Sequence, residues 1–126
     1  MRILIDTHIL IWHLEDDEQL SSHHGQLIED PSNTVLISIA SFWEIAIKTS
    51  RGKLELSKSI EDLISEIERS SIAILPIESK HIIQVSKLPF HHKDPFDRMI
   101  IAQVLVENVP IISTDSNFSK YGVTLL

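Results

Sequence analysis

The sequence predicts an α/β fold of three layers, α/β/α, around a central parallel sheet of four to five strands. Short runs rich in Ile, Leu and Val alternate along the chain with segments that have helical periodicity. The runs are almost continuously apolar, as is typical of parallel strands that helices cover on both faces. No linker, internal repeat or low-complexity segment interrupts the chain, so we expect a single domain over residues 1–126.

The five predicted strands are short, and branched aliphatic residues dominate each of them. They cover residues 2–6, 33–39, 72–77, 110–115 and 123–126. Asp6 ends the first strand, and Asp115 ends the fourth after the run PIIST. Apolar runs of this length are shorter than most helices, and their β-branched residues favour strands.

The segments between the strands have the features of helices. They cover residues 8–14, 20–30, 41–53, 59–70 and 79–88, and a last helix lies within residues 91–108. Segment 59–70 repeats apolar residues at three- and four-residue spacing, which predicts one buried face. Proline or glycine supplies a stop for the second, third and fifth segments. Asp94 and Pro95 fit the N-cap and the first position of the last helix.

Composition and charge exclude several classes of protein. The chain has no cysteine, which excludes disulfides and thiolate metal sites. Its formal net charge is −7, which argues against a basic nucleic-acid-binding surface, although four cations cluster between Lys48 and Lys58. The N-terminal apolar run breaks at Asp6, too early for a signal peptide, and no apolar run approaches the length of a membrane span. We therefore expect a cytoplasmic protein with no membrane contact.

Four carboxylates that are distant in sequence are predicted to meet at one edge of the sheet. Ligands of open α/β sheets bind at the carboxyl ends of the strands, where helix N-termini also gather. Asp6 and Asp115 end strands, whereas Glu44 and Asp97 are expected in the first turns of helices. Such acids repel one another, and their pKa values rise unless a cation lies among them. We expect a hard divalent ion, Mg²⁺ or Mn²⁺, because these ions prefer oxygen ligands.

Each acid could instead serve only as a helix cap. Ser41 and Glu44 have the spacing of a capping box, and Asp94 and Asp97 have the same spacing. The two acids at strand ends could cap the elements that follow them. Capping explains each position alone, but it does not explain why all four should converge. The pattern therefore favours a carboxylate metal site.

Five blocks of the sequence carry a resemblance to a known family. They are LIDTH, SIASFWEIAIK, GKLEL, LPFHHKDPFDRMIIAQ and IISTDSNFSKYGV, and they extend over nearly the whole chain, from Met1 to about Val123. In this order they resemble the PIN-domain family, and more closely the VapC-type toxins of bacterial toxin–antitoxin operons. The resemblance implies a Mg²⁺- or Mn²⁺-dependent endoribonuclease that cleaves RNA, tRNA or rRNA in particular. It also implies a cognate VapB-like antitoxin and a homodimer.

The resemblance assigns four family acids to this chain. The implied metal ligands and catalytic residues are Asp6, Glu44, Asp97 and Asp115. Asp94 is expected to cap the helix and could support the ligands from behind or contact the ion itself. A water activated by the metal would attack the phosphodiester, and one carboxylate would accept its proton. The family often has a glycine where this chain has ENVP, at residues 107–110, which affects the expected turn and not the site.

Four further side chains are candidates for substrate binding, namely Thr7, Thr114, Lys48 and Arg51. The two threonines neighbour the acids and could order a water, but strand-end hydrogen bonding explains them equally well. The two cations could grip phosphate, although cations are also favoured near a helix C-terminus. Arg98 is expected to form an ion pair with a neighbouring aspartate, and His92 is expected to be a loop residue.

Two functional classes remain open beside the toxin. A nuclease that acts on DNA or in RNA processing would use the same acids. A non-catalytic assembly module would use the acids as caps and the apolar helices as contact surfaces. Segment 8–14 is apolar on nearly every side, and it could be fully buried or form a partner groove. Trp12 and Trp43 are expected in the core or at such an interface.

Overall fold

The computed structural model describes all 126 residues and contains a four-stranded, all-parallel sheet with helices on both faces. In chain order the elements are β1 (Arg2–Ile5), α1 (Thr7–Leu14), α2 (Ser22–Glu29), β2 (Thr34–Ser38), α3 (Ile39–Ser50), α4 (Ile60–Glu68), β3 (Ala73–Leu75), α5 (Ser79–Lys87), α6 (Pro95–Glu107), β4 (Ile111–Ile112) and a 3-10 helix (Ser116–Tyr121). The order of strands across the sheet is β3-β2-β1-β4. The predicted α/β/α class with a central parallel sheet is confirmed.

The pleat of β1 divides the core into two layers. Ile3 and Ile5 belong to one apolar cluster, together with Phe42 of α3. Leu4 belongs to the other, together with Ile100 of α6. Each fully buried aliphatic side chain contributes about 1.5–3 kcal/mol to folding. Both faces of the strand are covered, which explains why its sequence is continuously apolar instead of alternating.

The register of the sheet aligns the carboxyl ends of three strands. Ile5 of β1 pairs with Ile37 of β2 on one side and with Ile112 of β4 on the other. The N–H of Asp6 also donates to the carbonyl of Ile112 at 3.2 Å. The residues that follow these three strands therefore emerge together at one edge of the sheet.

All six predicted helices are present, with one change of boundary that affects the site. Ser38 accepts a hydrogen bond from the N–H of Ala40 at 3.0 Å, and this cap starts α3 at Ile39, two residues before the expected start. Glu44 consequently lies in the second turn of α3, not in the first. None of the helices combines the length and the hydropathy that a bilayer span requires.

The predicted fifth strand is wrong. Residues 123–126 make only one isolated bridge to the sheet, between Leu125 and Ile111. The chain leaves the sheet early, after two residues of β4, and Asp115 caps the unpredicted 3-10 helix. Gly122 then takes a φ of 72°, which turns the chain back at a conformation that favours glycine. Only Leu125 pairs with the sheet after this turn, so the segment forms a bridge and not a strand.

Candidate metal site at the carboxyl edge of the sheet

Asp6 directly follows β1 and is buried. Its Oδ1 caps α1 by accepting the N–H of Ile9 at 2.9 Å. Its Oδ2 accepts a hydrogen bond from the hydroxyl of Ser113, which follows β4. Burial raises the pKa of Asp6, and the hydrogen bonds from Ser113 and Ile9 oppose that rise only in part. Helix capping thus accounts for Oδ1 of Asp6, whereas Oδ2 contacts Ser113 and so links the end of β1 to the end of β4.

Glu44 of α3 is almost fully buried beside Asp6. The alternative explanation, a capping box of Ser41 with Glu44, is wrong, because Ser38 is the N-cap of this helix. The Oε1 of Glu44 instead accepts the hydroxyl of Thr7 at 2.6 Å, and its Oε2 contacts the ammonium of Lys48 at 2.5 Å. Both oxygens are therefore held by side chains, which fixes the carboxylate in one orientation.

Lys48 is the only lysine or arginine whose charged group contacts any of the four acids, and the acid it contacts is Glu44. Burial by itself lowers the pKa of Lys48, but the hydrogen bond and charge of Glu44 outweigh burial and raise it. The charges of Asp94 and Asp97 act in the same direction. A single ammonium group thus offsets part of the negative charge in the cluster.

Asp94 starts α6, as expected. Its Oδ1 accepts the N–H groups of Phe96 at 2.8 Å and of Asp97 at 3.1 Å. Asp97 does not complete a capping box, because the N–H of Asp94 donates to Nδ1 of His92 at 3.2 Å. The Asp97 side chain faces the other acids instead. Burial, with the charges of Asp94 and Glu44, raises the pKa of Asp97 to about 7.

His92 joins Asp97 to Asp115. Its Nε2 lies 3.1 Å from Asp97 Oδ2 and 2.8 Å from Asp115 Oδ2. The other oxygen of Asp115 accepts the N–H of Asn117 at 2.9 Å and so caps the 3-10 helix. Burial by itself raises the pKa of Asp115, but the hydrogen bonds from Asn117 and His92 outweigh it and lower the pKa.

The structure therefore brings all four predicted acids together and adds two residues that sequence reasoning missed. His92 does lie in a loop, as expected, but its imidazole reaches the acids. Its one sequence signal is its place two residues before the helix cap that leads to Asp97. Ser113 had no signal of its own, since a serine after a strand is common at many kinds of turn.

Two of the four substrate candidates lie in the acid cluster, and two lie at the surface. Thr7 is buried, and its hydroxyl bond to Glu44 orients that carboxylate. Lys48 contacts the same carboxylate. Thr114 and Arg51 are exposed, and their side chains make no hydrogen bond.

The expected ion pair of Arg98 is wrong. Its buried guanidinium donates to main-chain carbonyls of residues 85–92, including that of Pro89 at 2.9 Å. The group also lies over the ring of Phe90, 4.1 Å from its centroid. Arg98 thus holds in place the loop that carries His92, and carbonyl dipoles satisfy its donors where a carboxylate was expected.

The two tryptophans have different environments. Trp12 packs half-buried against the core, as expected. Trp43 is 62% exposed, and its ring meets Phe96 edge-on with 5.0 Å between centroids. A core position for Trp43 is therefore wrong, and an interface role for it stays a prediction.

The donor set of the site suits a hard divalent cation. The four acids offer carboxylate oxygens, and the chain has no thiolate to attract a softer metal. Burial raises the pKa values of Asp6 and Asp97, and the charges of neighbouring carboxylates raise the pKa of Asp97 further, so a bound cation would stabilise the ionised forms. The ligand atoms of Asp97 and Asp115, together with His92 Nε2, lie within 4.8 Å of one another, which is the span of one ion's ligands.

Comparison with known proteins gives a family and a set of similar folds. Residues 3–123 match the family model described as PIN domain. A comparison with curated proteins found no match to the sequence. A chain from VapBC2 of Rickettsia felis, solved bound to a DNA fragment from the promoter, is 18% identical with a TM-score of 0.74, over 100% of this chain and 98% of that chain.

Two other solved structures are similar to a comparable degree. A chain of VapBC-1 from nontypeable Haemophilus influenzae is 16% identical with a TM-score of 0.69, over 100% of this chain and 97% of that chain. A chain of a toxin–antitoxin complex from Klebsiella pneumoniae is 18% identical with a TM-score of 0.62, over 93% of this chain and 90% of that chain. At these identities the similarity establishes the fold.

Proposed function

The chain belongs to the PIN domain family, and we propose that it is a Mg²⁺- or Mn²⁺-dependent endoribonuclease, the toxin of a VapBC-type pair. Its substrate would be RNA, tRNA or rRNA in particular. This choice of substrate rests on the resemblance of the sequence to VapC-type toxins. The proposed metal ligands are Asp6, Glu44, Asp97 and Asp115, with Asp94 behind them as the helix cap.

The convergence of four carboxylates at one edge of the sheet is the observation that carries this proposal, and the pKa of Asp97 reflects it. Its rise to about 7 has burial as its first cause and the charges of Asp94 and Glu44 as the next. A carboxylate that caps a helix needs neither burial nor acidic neighbours. Crowded, buried carboxylates are typical of sites where a bound cation supplies the missing positive charge.

The side chains around the acids would set the geometry of the reaction. When bound, a divalent ion supplies a water of lowered pKa and stabilises the charge that develops on the phosphate. Thr7 and Lys48 hold the two oxygens of Glu44, and Ser113 holds one oxygen of Asp6. These bonds keep the ligands in place, and one of the carboxylates would accept the proton of the attacking water.

Exposed cations and hydroxyls would contact the RNA backbone. We assign this role to Arg51 and Thr114, which are exposed and free of side-chain hydrogen bonds. Thr7 and Lys48 are bound to Glu44, so we expect them to act mainly on that carboxylate. The negative net charge of the chain limits purely electrostatic attraction, and the phosphate would therefore be held chiefly at the metal.

A VapB-like antitoxin and a second copy of the chain are the proposed protein partners. The similar structures described as VapBC pairs and as a toxin–antitoxin complex support the first. Large apolar side chains at the surface support a protein interface. The exposed ones within or beside helices are Ile39, Trp43, Ile82, Ile83 and Phe90.

Cleavage of a mixed tRNA and rRNA pool by the purified protein tests the nuclease. The reaction is run with Mg²⁺, with Mn²⁺ and with EDTA, and single-stranded DNA is supplied in parallel. We expect cleavage of RNA that needs the metal and is abolished in Asp97→Asn. Asp62→Asn is the matched control, because Asp62 lies in the first turn of α4 as Asp97 lies in that of α6, but at the surface.

Asp94→Asn distinguishes a helix cap from a ligand. Asparagine can still accept the N–H groups at the start of α6, so substantial activity is expected if Asp94 only caps. Loss of activity equal to that of Asp97→Asn would assign Asp94 to the metal. If the folded wild type cleaves neither RNA nor DNA and binds no divalent ion, the nuclease proposal fails and the assembly module takes its place.

A further inference from the structure

The imidazole of His92 occupies the space between two of the proposed ligands. We propose that His92 competes with a divalent cation for Asp97 and Asp115, so that the ion binds both carboxylates only after the imidazole has left its position. This inference rests on the metal site of the proposed function. It adds a residue that controls entry of the ion to that site.

The hydrogen bonds of His92 fix which ring nitrogen carries the proton. Its Nδ1 accepts the main-chain N–H of Asp94, and an acceptor nitrogen must be unprotonated. The Nε2 atom therefore carries the hydrogen and donates it to Asp115 Oδ2 at 2.8 Å, while Asp97 Oδ2 lies 3.1 Å from the same nitrogen. A protonated nitrogen has no lone pair for a metal. In this arrangement His92 donates to Asp115 and lies beside Asp97, and its Nε2 can bind an ion only after losing that hydrogen.

The oxygens that His92 holds are those that a cation needs. Asp115 Oδ1 is committed to the N–H of Asn117 as the cap of the 3-10 helix, which leaves Oδ2 for other partners. Oδ2 is the oxygen 2.8 Å from His92 Nε2. Nε2 lies close to this oxygen and to Asp97 Oδ2, so its N–H group occupies space and lone pairs that an ion bridging the two carboxylates would take.

The imidazole can leave without unfolding its loop, because the loop is held through its main chain. The N–H of His92 donates to the hydroxyl of Tyr121 at 2.8 Å, and the carbonyl of His92 accepts from Arg98 at 3.4 Å. The carbonyl of Pro89 accepts from both Tyr121 and Arg98 at 2.9 Å. None of these bonds involves the ring of His92, so a rotation about its side-chain bonds frees the carboxylates. The same bonds should keep the loop in place when the ring is removed.

Calorimetric titration with Mg²⁺ tests the competition directly, independently of cleavage. Four proteins are compared at neutral pH: the wild type, His92→Ala, His91→Ala and Asp97→Asn. His91 is the matched control, since it is exposed and its ring packs against Tyr121, away from the carboxylates. We expect Mg²⁺ to bind His92→Ala about tenfold more tightly than the wild type, the effect of one charge-assisted hydrogen bond. His91→Ala should match the wild type, and Asp97→Asn should bind far more weakly.

A ¹⁵N NMR spectrum of the histidine rings gives a second readout. The wild type in EDTA should show His92 with the proton on Nε2, and addition of Mg²⁺ should shift that signal while His91 stays unchanged. If His92 merely supported the ligands, its removal would weaken Mg²⁺ binding, and weaker or equal binding by His92→Ala would overturn the inference. If the wild type binds Mg²⁺ and Asp97→Asn does not, the proposed metal site stands even when the inference about His92 fails. Absence of Mg²⁺ binding by all four proteins would overturn both.

Discussion

Replacement of Asp97 by Asn should stabilise the folded protein when divalent ions are removed. A carboxyl pKa raised from 3.8 to about 7 corresponds to about 4 kcal/mol of unfavourable free energy for the ionised form in the fold. The side chain is 21% exposed, so solvent screens part of this energy. Asparagine also loses a favourable charge at the N-terminus of α6, about 0.5 kcal/mol. A net gain of about 2 kcal/mol is expected at neutral to basic pH.

The sign of the pH dependence follows from the same pKa. The folded carboxyl takes up a proton as the pH falls through about 7, whereas in the unfolded chain it does so only near 3.8. The wild type therefore gains stability on acidification, and the difference in stability between Asp97→Asn and the wild type should largely disappear near pH 3.8. Saturating Mg²⁺ should make the wild type more stable than Asp97→Asn. An ion at a hundred times its Kd stabilises a folded protein by about 2.7 kcal/mol, and the variant would lose most of that gain.

Thermal unfolding in EDTA and in Mg²⁺, at several pH values, measures these differences. A gain of about 2 kcal/mol corresponds to a rise in Tm of roughly 6 °C for a chain of this size. Asp62→Asn again serves as the control and should lower the Tm slightly through loss of its helix-terminal charge. A Tm for Asp97→Asn at or below that of the wild type in EDTA at basic pH would refute the argument that burial and acidic neighbours disfavour the ionised form of Asp97.

Three further predictions concern the supports of the fold. Arg98→Lys should lower the free energy of unfolding by about 2–3 kcal/mol, because an ammonium group cannot reach the separate carbonyls to which the guanidinium donates. Arg69→Lys at the surface is the control and should change the free energy of unfolding little; urea denaturation measures both. Glu107→Gln should destabilise the protein at neutral pH but not in acid, because the hydrogen bond from His81 lowers the pKa of Glu107. The stabilisation by the ionised carboxylate is fully present above pH 4.5 and is lost as the pH falls through the lowered pKa. Unfolding curves measured across that pH range would show this loss. Ile5→Ala should cost about 2–5 kcal/mol by leaving a cavity in the core, and a loss of under 1 kcal/mol in urea would contradict its central place there.

The layers of the fold and the meeting of the four acids at one edge of the sheet could be predicted from the sequence, because both depend on local patterns and one general rule. Continuous apolar runs separated by helical segments predict a covered parallel sheet, and the carboxyl ends of such strands gather ligand residues. Asp6 and Asp97 follow from this rule together with the N-cap signal at Asp94. The family resemblance, which the PIN domain model confirms over residues 3–123, pointed to the same acids.

The contacts within the site were decided by the tertiary structure. The His92 imidazole meets Asp115 only because the loop before α6 folds back against the segment after β4, and no local pattern encodes that approach across 23 residues. Arg98 was expected to pair with an aspartate, but its guanidinium donates to main-chain carbonyls of the same loop instead. A sequence determines which residues can cap, bury or bind a cation, through their chemistry and spacing. Which partner each one meets depends on how distant segments pack, and that packing is a property of the whole fold.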